Sequence, residues 1–467
     1  MSKIYVFGIG GTGSRVLRAA TLLLAAGVEC KADTMVPIII DPDAAAGDLE
    51  RTVDLMKKYG EVRSKLNFDI KKKNKFFKTG IQQTMANFRL PLSNTEDVSF
   101  DGYMGVSDMS RANKALVNML FSQKNLASNM KIGFKGNPNV GSVVLNQFDD
   151  SEAFLNFTNE FTEQDKIFIV SSIFGGTGAS GFPLLLKTLR TSEAIANKKY
   201  VHDAHIGAIT VLPYFQVKQD ESSQIDSATF VSKTKSALAY YDRAISKNNA
   251  IDTLYYIADD IRTTYENCEG GANQKNNAHF IELMSAFALI DFANSQKPAA
   301  AVHKEFGIEV DTKEIIFDNL GKTAKQELRK AMTQFLLFAK YLNENDNFLA
   351  LPWAKDRSLD RTFFDGDFIR SIEKVQQEYL LWLKEMTTQQ RAFKALKLHK
   401  DGNRVFDLAE GIAPKDKLFT VDKNYNLFNS RLNGQGGESK SGEKEQQLVE
   451  LFYLATQQLV KEKFNIE

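Results

Sequence analysis

The sequence predicts an α/β fold, in which a mostly parallel sheet is flanked by helices and is followed by a largely helical C-terminal region. In the first half, short runs of Val, Ile, Phe and Tyr alternate with helical patterns, as in βαβ units. Beyond about residue 320, apolar residues recur at helical spacing instead. The chain has 467 residues, of which 43% are hydrophobic, so it can bury more than one core. We expect one domain over residues 1–305 and a second over 306–467.

The individual elements follow from these patterns. Buried strands are predicted over residues 4–9, 36–40, 166–172, 206–212 and 253–257, and helices over 14–26, 151–161 and 182–189. Between about 44 and 130 the pattern weakens, which indicates an elaboration on the first domain. In the second domain, helix faces are formed by Leu328, Met332, Phe335, Ala339 and Leu342 and by Leu448, Leu451, Phe452, Ala455 and Leu459. A long helix or helix pair is predicted over 368–400, and the polar, Gly-rich stretch 433–445 is predicted to be a loop.

Composition argues against several classes of function. The 59 basic residues balance the 58 acidic ones, so we expect no overall attraction to nucleic acid or to an anionic membrane. The two cysteines, Cys30 and Cys268, support neither a disulfide framework nor a zinc site, and the five histidines lack metal-binding spacing. No run reaches the roughly 18 apolar residues of a membrane span. We therefore expect a cytoplasmic protein with no membrane span.

The first predicted strand leads into a glycine-rich loop, Gly8-Ile9-Gly10-Gly11-Thr12-Gly13-Ser14, and then into a helix. At such a junction, backbone N–H groups and the helix dipole face an anion, and glycines permit its close approach. This loop alone leaves alternatives open. It also matches the GxGxxG dinucleotide fingerprint, for which Asp41 would be the ribose ligand, and it resembles the loop of ThiF-type adenylating enzymes.

Three further segments follow in order along the chain: Asp41-Pro42-Asp43, Gly136-Asn137-Pro138-Asn139-Val140-Gly141 and Gly175-Gly176-Thr177-Gly178-Ala179-Ser180-Gly181. The last resembles the GGGTG(S/T)G signature of tubulin and FtsZ, with Phe174 in place of its first glycine. The middle one is similar to the GNPxxG loop of FtsZ. The order of the four segments is also that of the tubulin/FtsZ family, so the chain resembles a divergent bacterial tubulin-like protein.

This resemblance covers about two-thirds of the chain and implies a tubulin/FtsZ-type GTPase domain that binds GTP or GDP together with Mg²⁺. It implies that the phosphate end of the nucleotide is held by Gly10, Gly11, Thr12, Gly13, Ser14, Asp41, Asp43, Gly136, Asn137, Pro138, Gly175, Gly176, Thr177, Gly178, Ala179, Ser180 and Gly181.

The resemblance also implies contacts to the ribose and the base. The run Thr210-Val211-Leu212-Pro213-Tyr214-Phe215 is similar to the VTxPF strand exit of FtsZ, after which a carboxylate holds the ribose. Gln216 stands at that position, with Asp220 or Glu221 as alternatives. Phe287 and Asp291 match an FxxxD pair that stacks beside guanine and accepts its hydrogen bonds, and Arg15 stands where the family has a base-contacting Asn.

A catalytic function is implied by the segment Glu309-Val310-Asp311-Thr312-Lys313-Glu314, which loosely resembles the NxDxxD loop that FtsZ inserts into the neighbouring subunit's phosphate site. The resemblance makes Asp311 and Glu314 the catalytic residues, which would orient water against the terminal phosphate. A GTPase of this kind is active as a homo-oligomer or filament.

Three functions thus follow from the sequence. The first is a GTPase that self-assembles through this acidic loop. The second is a GTP-binding switch or scaffold module that does not polymerise and docks a protein partner on its helical C-terminal region. The third is a dinucleotide-binding or adenylating enzyme, which would need neither the loop at 136–141 nor the loop at 175–181.

Overall fold

The structure is a computed structural model of the chain. It describes residues 2–68, 73–134, 136–218, 230–246, 250–260, 263–266, 268, 270–306, 308, 312–344, 348–398, 406–408, 425–435, 442–464 and 466.

A parallel sheet of seven strands forms the centre of the molecule. Its strands lie in the order β3-β2-β1-β4-β5-β7-β9, and every neighbouring pair is parallel. Two short parallel pairs, β6 with β8 and β10 with β11, lie outside it. The strands are β1 (Lys3–Ile9), β2 (Thr34–Ile40), β3 (Gly80–Ile81), β4 (Lys166–Ser172), β5 (His205–Val211), β6 (Phe215–Val217), β7 (Thr253–Ile257), β8 (Thr263–Tyr265), β9 (Val302–Glu305), β10 (Glu314–Ile315) and β11 (Ala392–Phe393).

Helices cover both faces of the sheet and make up most of the C-terminal region. They are α1 (Gly10–Ala25), α2 (Gly47–Arg63), α3 (Phe100–Tyr103), α4 (Arg111–Leu120), α5 (Gln123–Leu126), α6 (Pro138–Val144), α7 (Glu152–Glu160), α8 (Gly176–Thr191), α9 (Lys198–His202), α10 (Phe230–Tyr241), α11 (Phe280–Asn294), α12 (Lys322–Glu344), α13 (Pro352–Lys355), α14 (Arg361–Phe364), α15 (Asp367–Thr387), α16 (Asn426–Gly434) and α17 (Lys444–Phe464).

The strand order has a switch point at β1, where successive strands stop being added on one side of the sheet and start being added on the other. The order runs outward from β1 to one edge through β2, and to the other through β4. In open parallel sheets, ligands bind outside the carboxyl ends of the strands at such a switch point. The carboxyl ends of β1 and β4 are followed directly by the first and third glycine-rich loops.

Alternate residues of β1 enter two different cores. Val6 packs in the core on the side of α1 and α11, whereas Tyr5 and Phe7 pack in the core on the side of α7 and α8. The rings of Tyr5 and Phe157 lie 4.8 Å apart, edge to face. Because both faces are buried, the strand appears in the sequence as a continuous apolar run rather than as an alternation.

Helix α11 is buried along most of its length, and Asp291 and Asn294 in its last turn are partly exposed. Phe292 packs on Phe168 of β4 with ring centroids 5.2 Å apart, and Phe280 stacks on Phe393 of β11 at 5.8 Å. A helix that is apolar on all sides must be enclosed by other elements. It therefore lies between the sheet and the C-terminal helices.

The C-terminal helices share a core with the sheet domain. The ring of Phe76 lies 5.7 Å from that of Phe338 in α12 and 5.1 Å from that of Tyr453 in α17. This core contains side chains from both sides of residues 305 and 306. The division into two domains at that point stays a prediction.

The predicted fold class is confirmed, including the mainly helical C-terminal part. The helix predicted over 368–400 was partly wrong: α15 ends at Thr387, and residues 392–393 form β11. Within the described part of the chain, the structure adds six strands that the sequence pattern did not predict, among them the edge strands β3 and β9. These are only two and four residues long, and β9 is largely exposed, so neither shows a buried apolar run. Among the described residues, no helix is long and apolar enough to cross a membrane.

The packing of α11 on the sheet can be tested at Gly207 of β5. A Cβ added there would lie 2.5 Å from the ring of Phe292. Gly207→Ala should therefore destabilise the protein by about 1–3 kcal/mol through overpacking. Urea unfolding monitored by circular dichroism measures the change.

Gly60→Ala is the matched control, because a Cβ on Gly60 in α2 meets no atom within 4 Å. It should stabilise the protein by about 0.5–1 kcal/mol, since alanine is the better helix former. Equal effects of the two substitutions would contradict the packing described above.

Candidate functional site

The first glycine-rich loop joins β1 to α1 in one tight turn. Gly10 begins α1 with a φ of 71°, a conformation that favours glycine. A Cβ on Gly13 would overlap the backbone of Gly8, so these two glycines let the helix approach the strand. The first N–H groups of α1 are thereby held at the carboxyl end of β1.

The loops at 136–141 and 175–181 meet the first one at the same place. A Cβ on Gly10 would lie 3.4 Å from Cβ of Thr177. A Cβ on Gly176, where α8 begins, would lie 3.1 Å from the backbone nitrogens of both Gly136 and Asn137. Three segments that are distant in the sequence thus bring backbone N–H groups together.

Between these loops lies a cleft of about 170 Å³, which we call the phosphate cleft after the function that the sequence predicts for its loops. Eleven of the predicted binding residues line it: Gly10, Gly11, Thr12, Arg15, Asp41, Asp43, Gly136, Gly175, Gly176, Thr177 and Gly178. It is smaller than the roughly 300–1,000 Å³ of typical small-molecule sites, so it fits the phosphate end of a nucleotide better than a whole one.

Other predicted phosphate contacts have structural positions instead. Gly13 packs on Gly8, and the hydroxyl of Ser14 contacts the Gly10 carbonyl at 3.5 Å. A Cβ on Gly181 would lie 2.9 Å from Ile9. The remaining four, Asn137, Pro138, Ala179 and Ser180, line a neighbouring cavity of about 610 Å³ between α6, α8 and α10.

Two carboxylates follow β2 at the edge of the phosphate cleft. The Asp41 carboxylate accepts a hydrogen bond from the backbone N–H of Asp43 at 3.0 Å, and that of Asp43 accepts one from Gly271 at 2.6 Å. Burial, with a smaller contribution from the Asp43 charge, raises the pKa of Asp41 to about 7. Asp41 therefore changes its charge near neutral pH.

Arg15 lies at the floor of the phosphate cleft and is only 5% exposed. Its Nε donates to Glu282 at 2.6 Å, its Nη2 to the Tyr214 hydroxyl at 3.0 Å and its Nη1 to Asp48 at 3.3 Å. Burial works against the charge of Arg15, but its interactions with these three side chains hold its pKa well above the ordinary value. Two of its five N–H donors are not used in these bonds.

The buried charges continue from this floor into the C-terminal region. Arg18, one turn after Arg15, contacts Glu378 at 3.1 Å and Glu385 at 3.0 Å, both on α15. Arg51 of α2 contacts Glu385 at 2.6 Å. We call this set, Arg15, Arg18, Asp48, Arg51, Glu282, Glu378 and Glu385, the buried ion network. It connects the phosphate cleft to α15.

Gln216 does not face the cleft. Side chains on a strand alternate in direction, and on β6 it is Phe215 and Val217 that line the cleft. The Gln216 amide instead donates to the hydroxyl of Thr264 at 3.0 Å. Asp220 and Glu221, the alternatives, lie outside the described residues.

Phe287 and Asp291 are not brought to the cleft either. Asp291 lies nine residues beyond Glu282 on α11, about 13 Å along the helix axis. Its carboxylate accepts hydrogen bonds from Tyr255 at 2.6 Å and from Lys304 at 2.8 Å, while Phe287 is buried against Phe306. The base contacts assigned to this pair are therefore not supported by their position.

Of the two predicted catalytic residues, Asp311 lies outside the described residues. Glu314 lies on β10 with its side chain 61% exposed, in an ion pair with Lys394. It does not line the phosphate cleft of its own chain. Its exposure leaves it accessible to a second copy of the chain.

Among the described residues, eleven that the sequence did not predict also line the phosphate cleft: Gly133, Phe134, Ser172, Phe174, Phe215, Val217, Phe230, Glu266, Cys268, Gln274 and Asn276. Phe174, Phe215 and Phe230 form an aromatic cluster, with the ring of Phe174 5.5 Å from that of Phe215 and 5.1 Å from that of Phe230. The positions of Phe215 and Val217 could have been predicted, because alternate residues of a strand point to the same side. Gln274 and Asn276 lie before α11 in a segment that matches no sequence motif, so they could not have been predicted.

Comparisons with known proteins gave matches among solved structures alone. No family model matches the sequence, and no curated protein matches it. The chain is similar to CetZ2 from Haloferax volcanii in a GTPγS-bound protofilament, with 14% identity, a TM-score of 0.32, and 64% of this chain and 60% of that one covered. It is also similar to CetZ1 from Haloferax volcanii as a GDP-bound monomer, with 14% identity, a TM-score of 0.31, and 64% and 65% covered.

A third similar structure is CetZ from Methanosaeta thermophila, with 15% identity, a TM-score of 0.26, and 62% and 51% covered. The chain thus spans less than two thirds of the length of each of these proteins. All three similar structures are of CetZ proteins, at low identity. TM-scores this low add nothing to the fold assignment, which rests on the strand order of the sheet.

The buried ion network can be tested at Arg18. Arg18→Met should destabilise the protein by about 3–5 kcal/mol, because it leaves buried carboxylates on α15 less compensated. Arg361→Met is the control, since Arg361 and Asp365 form an exposed pair whose loss should cost about 0.5 kcal/mol or less. Chemical unfolding measures both variants, and similar losses would contradict the role given to the network.

Asp41 should make stability depend on pH. Its folded pKa of about 7 lies above the ordinary value of 3.8, so its contribution to stability is full below pH 3.8 and is lost as pH rises through 7. Asp41→Asn cannot ionise. Its melting temperature should therefore exceed that of the parent protein by a margin that grows between about pH 5 and about pH 8. A margin that is constant over this range would refute the buried, protonated state.

Proposed function

We propose that the chain binds GTP or GDP, with the phosphates of the nucleotide in the phosphate cleft. The observation that carries this proposal is the meeting of three glycine-rich loops beside Asp41 and Asp43 at the carboxyl ends of β1, β2 and β4. Backbone N–H groups and helix N-termini arranged in this way favour a negatively charged group.

The residues present fit a polyphosphate. A side chain on Gly176 would approach the backbone nitrogens of Gly136 and Asn137, so glycine there keeps open the space that a phosphate needs. Among the described residues, no group of three or more His, Cys, Asp or Glu side chains could hold a metal ion. Mg²⁺ would therefore be held mainly by phosphates and water, as is usual for this ion.

The remainder of the nucleotide would extend toward the aromatic cluster of Phe174, Phe215 and Phe230. Gln274 and Asn276 supply amide groups at the same opening. Guanine is favoured over adenine by the resemblance of the loops to those of tubulin and FtsZ.

We extend the proposal to GTP hydrolysis on self-assembly, in a cytoplasmic homo-oligomer or filament. Glu314 is exposed and absent from its own cleft, so it would act, with Asp311, on the nucleotide of the next copy. A carboxylate placed in this way orients water against the terminal phosphate.

A GTP-binding switch that does not polymerise is the second candidate, and the buried ion network favours it. Arg15 at the cleft floor is connected through Asp48, Arg51 and Glu385 to α15. A change in the cleft would thus reach the helical C-terminal region, where a protein partner would dock.

The nucleotide released on denaturation, together with phosphate release at several protein concentrations, separates these functions. We expect guanine nucleotide and a specific activity that rises steeply with protein concentration. Bound GTP with negligible turnover at every concentration would favour the switch. Release of NAD or FAD, or ATP–pyrophosphate exchange, would contradict both GTP-binding functions. It would favour the dinucleotide-binding or adenylating enzyme instead.

Gly176→Ala tests the cleft itself. The added Cβ crowds the backbone nitrogens of Gly136 and Asn137, so GDP affinity should fall by about tenfold or more, equivalent to about 1.4 kcal/mol. Gly434→Ala is the matched control, because a Cβ there meets no atom within 4 Å. Titration with a fluorescent GDP analogue measures the affinity of both variants.

Asp291→Asn should bind the GDP analogue like the parent protein, because Asp291 does not line the phosphate cleft. A loss of affinity in this variant would support the base contact that the sequence predicts.

A further inference from the structure

The strand pair β10–β11, which contains Glu314, lies at the same edge of the main sheet as the phosphate cleft. All strands of that sheet are parallel, so their carboxyl ends share one edge, and the cleft lies outside the ends of β1, β2 and β4. Just beyond the end of β7, Asp259 forms an ion pair with Arg391. Nε of Arg391 donates to the carbonyl of Thr312 at 3.1 Å, and Ala392 is the strand partner of Glu314. The pair β10–β11 is therefore held beyond this edge of the sheet.

A second set of contacts connects the same strand pair to the cleft. Asn276 lines the cleft, and the carbonyls of the next two residues, Asn277 and Ala278, accept hydrogen bonds from the Gln389 amide at 3.2 and 2.9 Å. Gln389 comes three residues before β11 begins. The phosphate cleft and Glu314 thus lie at the same end of the molecule.

This position limits how two copies can share one site. In a head-to-tail filament, each copy uses one end for one neighbour and the opposite end for the other, so the cleft and the residue that completes it must lie at opposite ends. A contact between two like ends is isologous instead, and a two-fold axis brings Glu314 of each copy toward the cleft of the other. Such a contact is complete after two copies, because both cleft-bearing ends are then covered.

The charges of the two surfaces also favour their contact. Among the described residues that line the cleft, Arg15 is the one cation, and three of its N–H groups already bond to other side chains. Nucleotide phosphates would add negative charge there. The strand pair β10–β11 presents three accessible charged side chains: Lys313, Glu314 and Lys394. Glu314 is paired with Lys394, so this surface carries two cations against one carboxylate. A second copy would therefore bring positive charge to a phosphate-loaded cleft.

We propose that the chain assembles as a closed two-fold dimer, in which β10–β11 of each copy covers the phosphate cleft of the other. Glu314 of one copy orients a water molecule against the terminal phosphate bound by its partner, and Lys313 and Lys394 add positive charge beside it. The water oxygen bonds to the terminal phosphorus as the bond to the bridging oxygen of GDP breaks. One water proton stays on the phosphate product, and the other leaves through Glu314 to solvent. This dimer rests on the proposed function, because its contacts need a nucleotide in the cleft.

The mass of the assembled protein distinguishes a dimer from a filament. Size-exclusion chromatography with light scattering, on the full-length protein with saturating GTPγS, should give a mass that rises with protein concentration from 52.4 kDa to twice that value and then stays constant. Growth beyond two copies overturns the closed dimer. A mass that stays at one copy while GTPγS is bound overturns it as well.

Charge reversal on β10–β11 tests the surface itself. Lys313→Glu combined with Lys394→Glu should weaken dimerisation in GTPγS by about tenfold or more, because like charges then meet at the cleft. Lys187→Glu is the matched control, since Lys187 is exposed on α8 and lies eleven residues, about 16 Å along the helix axis, from the end at the cleft. It should dimerise like the parent protein. Equal dimerisation of the double variant and the control contradicts the proposal. Thermal melts identify a variant that fails to fold, and the mass of the parent protein then decides alone.

A mixture of two variants tests whether Glu314 acts on the other copy. Glu314→Gln lacks the acid and keeps the cleft, whereas Gly176→Ala keeps the acid and has a crowded cleft. Each alone should hydrolyse GTP slowly at a GTP concentration that saturates only the parent protein. An equimolar mixture should recover about a quarter of the parent activity, because about half of the dimers are mixed and each of these has one intact cleft opposite an intact Glu314.

A mixture no more active than its components overturns the proposal. The two proposals fail separately. Absence of GDP binding in the titration above removes the proposed function, whereas normal GDP binding with growth beyond two copies removes the closed dimer alone.

Discussion

The structure depends on the compensation of two buried arginines in α1. This helix begins at the phosphate cleft and is buried along nearly its whole length, so very little of Arg15 or Arg18 is exposed to solvent that would hydrate their charges. A buried charge is tolerated when opposite charges and hydrogen bonds surround it. The carboxylate partners of these two residues come from three other helices: α2, α11 and α15. The positions of these helices are therefore constrained by the same helix that follows β1 at the first glycine-rich loop.

This constraint explains how a cleft made of backbone N–H groups keeps its shape. The loops themselves are short and rich in glycine, which allows close approach but gives them little stiffness. They are held in place by hydrogen bonds among the side chains at the floor of the cleft. Glu282 accepts from both Arg15 and Tyr214, and it also caps α11 through the backbone N–H of His279. The floor of the cleft, the start of α11 and the exit of β5 are thus joined in one hydrogen-bonded unit.

Much of the fold and part of the site could be predicted from the sequence, and the division has a physical basis. Buried strands such as β4 and β7 appear as uninterrupted apolar runs, and glycine-rich loops mark strand-to-helix junctions by local sequence alone. The partners of Arg15 could not be predicted, because Glu282 lies 267 residues away and ion pairing leaves no periodic signal. Gln216 and Asp291 lie away from the phosphate cleft for a related reason. Motif spacing gives the position of a residue along the chain only. The contacts of Gln216 depend on which face of β6 it lies on, and those of Asp291 on its position near the end of α11.

The charge balance of the cleft adds a condition on any anion that binds there. Among the described residues that line it, Arg15 is the only cation, and three of its N–H groups already serve Glu282, Asp48 and Tyr214. Asp41, Asp43 and Glu266 lie in the same lining, and ionised carboxylates there would repel a phosphate. Backbone N–H groups and helix dipoles offset this repulsion only in part, since each dipole acts as about half a charge. Binding of a polyphosphate must therefore bring positive charge with it, either as a cation on the phosphates or as the proton that the raised pKa of Asp41 makes available near neutral pH.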